Sequence, residues 1–413
     1  MTTFLTNYLD AYYYKPKLQL AITAHENPAR VTVTSPFFSQ SVHVPKGNTR
    51  WIDLPAKTEL SGPGLSHKSV RISSNSDITV VTSNIKPFTG DSSVILPTSN
   101  LGREYVVFTP IPDKNPALVA IVNGDGDNVV EILPFADMSV EGMGHWKRGK
   151  KITLQLKPNE VYQFMSRHTF TGTRILSTQP LAVLVGNQCA RITGSCEHVY
   201  EQLIPTTSFS NHFLIPGMTN NNYQRDLAYV VAADDDTDVT ISNQLKDKRL
   251  KLHAGGSRLI PIVKGQSFIV SSNKRVMVMY FGSNLPYDEF LTTILPTSEM
   301  SNKWTLYLQK SYINTAVIVS EVEDSHTISG VTGWKPFGSD GRYVWATKSL
   351  GKGKGPVTIS GKALMAVYVF GGKHRHGYGT TGVCSTGELL FTPQHFIKYN
   401  NPVNLLVILK YEH

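Results

Sequence analysis

Between Gly186 and Phe209 the chain reads GNQCARITGSCEHVYEQLIPTTSF, which holds two of its three cysteines, a histidine and two glutamates. Three chemistries use such residues. Cys189 and Cys196 would form a disulfide across a loop between two strands, and the bridge would restrict that loop's freedom. A zinc site would take Cys189, Cys196 and His198, completed from a distant segment by Cys384, His374 or His376, but no Cys-x2-Cys pair is present to seed it. A thiol nucleophile would set Cys196 beside His198, two residues on and so on the same face of a strand, and oxidation of the pair would remove it. The disulfide is the preferred reading, and no metal or cofactor is expected.

Acidic residues recur just before four prolines: Asp91 before Pro97, Glu197 and Glu201 before Pro205, Asp288 and Glu289 before Pro296, and Glu388 before Pro393. A carboxylate there could act as a general acid, bind a cation or cap open backbone amides. Catalytic acids are normally singular, so recurrence in every copy reads as structural. The acidic turns at 123–128 (NGDGDN), 233–238 (ADDDTD) and 321–325 (EVEDS) lack the twelfth-position Glu of a calcium loop. Their Asp, Asn and Gly are also the residues that tight turns require.

The glycine-rich run FGGKHRHGYGTTG, Phe370 to Gly382, lacks the Gly-Lys-Ser/Thr ending of a phosphate loop and has no helix after it. It reads instead as a recognition loop carrying Lys373, His374, Arg375, His376 and Tyr378. Cys384 has no partner in its own loop and reads either as a buried free thiol or as a cysteine bridged to something outside this chain, the first being preferred.

Self-similarity along the chain shows what must position these residues. One pattern, an apolar strand, a polar loop, a proline corner and a second strand, occurs four times, at Pro97, Pro205, Pro296 and Pro393. A second pattern keeps the same beat, an alternating strand, an acidic turn and another strand, as in KLQLAITAHENPARVTVTS and ALVAIVNGDGDNVVEIL. It predicts a hairpin opening each repeat. No stretch sustains a helical period. The expectation is therefore an all-β chain of four tandem β-sandwich-like repeats of roughly 90–110 residues, divided at 1–110, 111–216, 217–309 and 310–413. Rod and closed ring are both open arrangements. The terminal NPVNLLVILKYEH matches the opening strand NPALVAIVNGDG, so it is either the start of a further repeat cut short or a strand that closes an exposed edge.

Composition agrees with this class. Hydrophobic residues make up 40% of the 413 and charged residues only 17%, with Gly 32 and Pro 23, a balance that suits strands and turns and argues against disorder. The net charge of +9 is spread over turns such as HWKRGKK (145–151), KDKRLK (246–251) and GKHRH (372–376), which suits acidic partners rather than one nucleic-acid groove. The N-terminus lacks the charged, apolar and small-residue zones of a signal peptide, no apolar run is long enough to span a bilayer, and the chain reads as soluble. It has no Asn-x-Ser/Thr sequon.

The segment CEHVYEQLIPTTSFSNHFLIPGM, Cys196 to Met218, is similar to the characteristic block of the IgGFc-binding protein N-terminal domain family, Cys-Asp-His-Leu-x-Glu-Gln-Leu-Pro-Pro followed by an aromatic-bearing strand. Cys196, Glu197, His198, Glu201, Gln202, Leu203, Pro205 and Phe213 occupy that pattern, with Glu197 for the usual Asp and Ile204 for the usual first Pro. TTFLTNYL, LQLAITAHENPARVTV and ILPTSNLGREYVVFT also resemble it, so the likeness runs over nearly the whole chain. The resemblance implies an extracellular, non-enzymatic protein of mucus and secretions, named for binding the Fc part of IgG. Cys189 matches the family's upstream cysteine, which supports the disulfide. Two departures from the family are a missing signal peptide, as expected of an incomplete gene model or an excised domain, and missing cysteine-rich downstream modules, so that mucin-like covalent polymerisation is not implied.

These readings converge on a binding or adhesion module that recognises an immunoglobulin Fc or mucin-like glycoprotein, with no membrane span and no nucleic-acid partner. The expected contact loops are 84–92, 188–198, 284–289 and 373–384, with Glu197, His198, Glu201, Tyr287, Asp288, Lys373, His374, Arg375, His376 and Tyr378 as candidate binding residues. The contrasting hypothesis is a hydrolase of carbohydrate or ester substrates, using an acidic pair or a Cys/His pair in the second repeat.

Overall fold

The computed structural model describes residues 2–11, 15–192, 196–219, 226–263, 265–283, 289–338, 341–353, 355–373 and 376–384. Tyr287, Asp288, His374, Arg375, Glu388, Pro393 and the terminal strand expected at 401–413 lie outside them. Within them the protein is all-β, and every helical segment is a three-residue 3-10 turn. The elements follow from side-chain alternation. Ala29–Ser35 (ARVTVTS) buries Ala29, Val31 and Val33 and exposes Arg30 and Thr32, the two-residue period of a half-buried strand.

The first unit shows the plan most simply. One sheet orders Thr2–Thr6, Val70–Ser74, Ala29–Ser35 and Phe38–Val44, and the other orders Thr49–Leu54, Lys17–Ala24, Ile78–Lys86 and Thr89–Ile95. Leu18, Leu20 and Ile22 from one layer meet Val31, Val33 and Ile72 from the other. In the following units the strands corresponding to 70–74 and 78–86 are fused. Arg174–Ala190 pairs through its first half with Gly102–Val106 and Asn128–Leu133, and through its second with Ala117–Asn123 and Glu197–Gln202. It crosses between layers at Thr178, Gln179 and Pro180, which are exposed. Phe268–Ser283 and Val357–Lys373 also change partners half-way along.

The acidic turns do not close hairpins, a correction to the expectation. Lys17–Ala24 pairs with Thr49–Leu54 and Ile78–Lys86, whereas Ala29–Ser35 pairs with Phe38–Val44 and Val70–Ser74. The turn is an arch between layers. Both strands carry an apolar face, and an arch lets the two faces share one core, where a hairpin would lay them side by side. Gly126 and Asp236 take positive φ, 85° and 52°, in two of these arches, which accounts for their Gly and Asp content. In the last unit Glu321 is followed by the 3-10 turn Ser325–Thr327 and not by a second long strand.

The strands Gly102–Val106, Ser210–Ile215 and Ser301–Leu306 precede the divisions placed at 110, 216 and 309, yet they hydrogen-bond forward to Arg174–Ala190, Phe268–Ser283 and Val357–Lys373. Neighbouring units are thereby interlocked, and one hydrophobic cluster joins the later units and reaches the first through Ala21, Val81 and Leu96, while the first unit keeps a core of its own. The strands Thr89–Ile95, Glu197–Gln202, Glu289–Thr293 and His376–Thr381 pack on one another in a closed cycle, first on second, second on third, third on fourth and fourth on first. The arrangement is a ring and not a rod.

Close approach inside one unit fixes a glycine. Gly186 is in register with Tyr200, and a Cβ on it would lie 2.1 Å from the carbonyl oxygen of Val199. Gly186→Ala is expected to destabilise the protein by about 3 kcal/mol in urea unfolding, because backbone and not a flexible side chain must yield. A change below about 0.5 kcal/mol would show that the strand pair can slide apart.

Candidate functional site

Cys189 is the penultimate residue of the strand Arg174–Ala190 and Cys196 precedes its antiparallel neighbour, with Asn187 in register with Val199. That geometry brings them together, and they form a disulfide with Cα atoms 5.0 Å apart. The Cys189 amide donates to Asn187 Oδ1 at 2.8 Å, which fixes the root of the loop. Neither sulfur is then available as a thiolate ligand or nucleophile. Among the described residues no three His, Cys, Asp or Glu side chains are grouped to hold a metal ion. Replacing both cysteines by serine is expected to cost about 2.5 kcal/mol in urea unfolding, the loop-closure value for so short a loop. A loss beyond about 5 kcal/mol would mean that the bridge supports more than its own loop.

Glu197, His198 and Glu201 were expected on a binding surface, and the structure places all three inside, at 1%, 0% and 5% exposure. Their strand is an edge strand of its sheet, with open backbone amides, and it lies where the ring closes. Buried amides require acceptors. Thr89, Asp91 and Ser93 alternate along their strand and so share one face. From that face Thr89 Oγ1 accepts from the His198 amide at 2.6 Å, Asp91 Oδ2 from the Tyr200 amide at 3.3 Å, and Ser93 Oγ from the Gln202 amide at 3.0 Å. Gln202 Oε1 returns a bond by accepting from the Leu96 amide at 2.9 Å.

Further contacts between strands of the ring use the same device. Asp91 Oδ2 also accepts from the Leu291 amide at 3.1 Å, and Asp91 Oδ1 from the Ser92 amide at 2.8 Å. Glu201 Oε1 accepts from the amide and hydroxyl of Thr293, at 3.1 and 3.2 Å, while Oε2 accepts from the Ser93 hydroxyl at 2.7 Å. Glu289 Oε1 accepts from the Ile192 amide at 3.3 Å, and His376 Nε2 from the Phe88 amide at 3.2 Å. Side chains of one unit thus supply the ladder that the backbone of the next lacks.

Burial governs the titration of these groups. It pushes the Glu201 carboxyl up to about 8, against the bonds from Ser93 and Thr293, and holds Asp91 well above the usual carboxylate range. It brings His198 down to about 3. His198 Nδ1 lies 3.0 Å from the Asn187 carbonyl, which can only accept, so the neutral ring carries its proton on Nδ1. The ring stacks on Tyr200 with centroids 5.5 Å apart.

In the glycine-rich segment Tyr378 is also buried, at 1% exposure. Its hydroxyl accepts from the Gln309 amide at 3.1 Å and donates to Asn314 Oδ1. Lys373 is exposed and His376 half-buried. Of the first expected contact loop, only the turn around Phe88, 53% exposed, reaches solvent. Thr89, Ser93 and Thr293 were not singled out from the sequence. The alternation Thr-x-Asp-x-Ser at 89–93 was the signal for the first two.

Residues 91–371 match the family model described as IgGFc binding protein. The chain belongs to that family. The human (Homo sapiens) IgGFc-binding protein is 26% identical over 410 residues, 95% of this chain. The chain spans 8% of that relative's length. The family match begins at Asp91 and ends beyond Tyr368, and so takes in the Asp91, Glu201 and Glu289 contacts of the ring. The block from Cys196 to Met218 that resembles the family supplies the ring strand Glu197–Gln202, a 3-10 turn and the strand Ser210–Ile215 that reaches forward to Phe268–Ser283. Among the described residues no helix is long and apolar enough to cross a membrane.

Proposed function

We propose that this IgGFc-binding family chain is an extracellular, non-enzymatic binding module that engages an immunoglobulin Fc or a mucin-like glycoprotein through its exposed loops. The observation that carries the reading is the family match, joined to where the reactive side chains lie. Cys189 and Cys196 are spent in a bridge, and Asp91, Glu201 and His198 hold ring-closing amides or ring contacts in the interior. A short-loop disulfide suits an oxidising compartment. A rigid β scaffold leaves its loops free to vary for recognition. The hydrolase alternative draws no support, since its acidic pair and its Cys/His pair are the residues so committed.

The test is biolayer interferometry of the immobilised chain against intact IgG, Fc, Fab and a purified mucin before and after sialidase treatment. Saturable binding to Fc or mucin, without binding to Fab, is the expected result. Absence of saturable binding to every one of these partners would overturn the reading.

A further inference from the structure

We propose that the second unit carries a cleft for an acidic sugar, a saccharide bearing a carboxylate or sulfate, with Lys114, Arg167 and Arg191 as the anion-holding groups. The site deepens the glycoprotein-binding reading and rests on it for the natural partner, though not for the chemistry.

Strand register puts the three cations together. Ala117 is paired with Ser166 on one side and with Asn187 on the other. Residues just beyond those pairs, Lys114 to Pro116, Arg167, and Gln188 to Arg191, therefore emerge at the same end of three adjacent strands, about 5 Å from strand to strand. The disulfide fixes the departure of the segment that carries Arg191. Glu141 comes in from a fourth segment, its amide donating to the Met165 carbonyl at 2.9 Å. Together these segments line a cleft of about 700 Å³ with Cys196 at its wall.

Three cations face one carboxylate in this lining, so the cleft attracts an anion. Arg191 also meets Asp113 at 3.9 Å, but both ends of that pair are substantially exposed and the interaction is weak. Lys114 and Arg167 form no ion pair with any described residue. The rest of the lining matches a sugar better than an acidic peptide. Gln188 and Asn115 offer both donors and acceptors, and Glu141 an acceptor, as hydroxyl groups require, while Pro116 and Met165 add apolar lining. The volume is that of a small-ligand pocket. An acidic peptide would need a longer groove to run its backbone through.

The test uses the full chain and four soluble probes followed by NMR and calorimetry: N-acetylneuraminic acid, galactose 6-sulfate, galactose and inorganic sulfate. An acidic peptide is the fifth. The acidic sugars are expected to bind, more weakly as salt rises, with galactose inert. Whichever of the two binds tighter identifies the carboxylate or the sulfate as the natural group. Arg167→Ala with Arg191→Ala should weaken that binding at least tenfold while leaving the urea midpoint in place, since both side chains are exposed. Arg249→Ala with Lys251→Ala, on a basic strand of the third unit, should leave it unchanged. Glu141→Gln should tighten it severalfold by removing the carboxylate that lines the cleft.

Binding indifferent to the Arg167/Arg191 pair would overturn the site, as would failure of both acidic sugars to bind. Inorganic sulfate binding as tightly as the sugars, or tighter binding by the peptide, would overturn its sugar character. Mucin binding that survives the double variant removes this inference and leaves the broader reading. Sugar binding without any mucin or Fc binding does the reverse.

Discussion

Asp91→Ala is expected to destabilise the protein by of the order of 4 kcal/mol, among the largest losses from any single polar side chain in the ring. Three backbone amides, those of Ser92, Tyr200 and Leu291, lose their acceptor at once, and the last two belong to other units. Each buried donor left without a partner costs about 1–3 kcal/mol. Against a typical total stability of about 5–15 kcal/mol, that loss is enough to populate opened rings. Asp91→Asn is the control. Its single carbonyl oxygen, turned toward Tyr200 and Leu291, keeps the bonds between units, while its NH2 group meets the Ser92 amide donor to donor, so its loss is expected to be smaller than that of the alanine variant but not negligible. Urea unfolding measures both. An alanine variant within about 1 kcal/mol of the parent would mean that Asp91 does not hold the ring.

Glu201 gives the second large effect, through pH. Its folded-state value of about 8 lies above its ordinary 4.5 because the carboxyl is buried. The unfolded chain therefore releases this proton first as pH rises. The associated stability is fully present below 4.5 and is lost as pH climbs through the folded value, at about 1.4 kcal/mol per pH unit. Asp91, also raised by burial, acts in the same sense. His198 acts on the acid side: its folded value of about 3 lies below the ordinary 6.5, so the unfolded chain takes up the proton first and stability falls as pH drops from 6.5. Glu201→Gln resembles the neutral carboxylic acid, keeping an acceptor for Thr293 and gaining a donor for Ser93. The variant is expected to match the parent near pH 5 and to become progressively more stable than it toward pH 8, by several kcal/mol on the order of the slope above. Urea midpoints across that range read the difference directly. A constant gap between the two proteins would show that Glu201 is ionised in the fold.

Several of these features were legible in the residues. The Cys-x6-Cys spacing indicated a bridge, and recurrence of acids before each proline corner indicated structural carboxylates, because a feature repeated in every unit is poor evidence for one active site. Pro97, Pro205 and Pro296 do each open a 3-10 turn. Other features were hidden for physical reasons. A strand, an acidic turn and a strand read identically as hairpin or arch, since local sequence does not say whether the two strands share a sheet. Glu197, His198 and Glu201 look like surface residues by type, and their burial follows only once edge strands from different units meet. Lys114, Arg167 and Arg191 lie too far apart along the chain to suggest a cluster. Only the pairing of Ala117 with Ser166 and Asn187 makes them neighbours.

Site-resolved amide hydrogen exchange tests most directly whether side-chain acceptors close the ring. The amides of Tyr200, Leu291 and Thr293 sit on edge strands and, among the described residues, bond to Asp91 and Glu201 across the junctions. If the ring is closed, all three exchange only through global unfolding, as slowly as the central-strand amides of Ala120 and Val230, and Asp91→Ala speeds exchange at Tyr200 and Leu291 together. Exchange at the rate of an open sheet edge in the parent protein would contradict the closed ring, and with it the scaffold role assigned to these carboxylates.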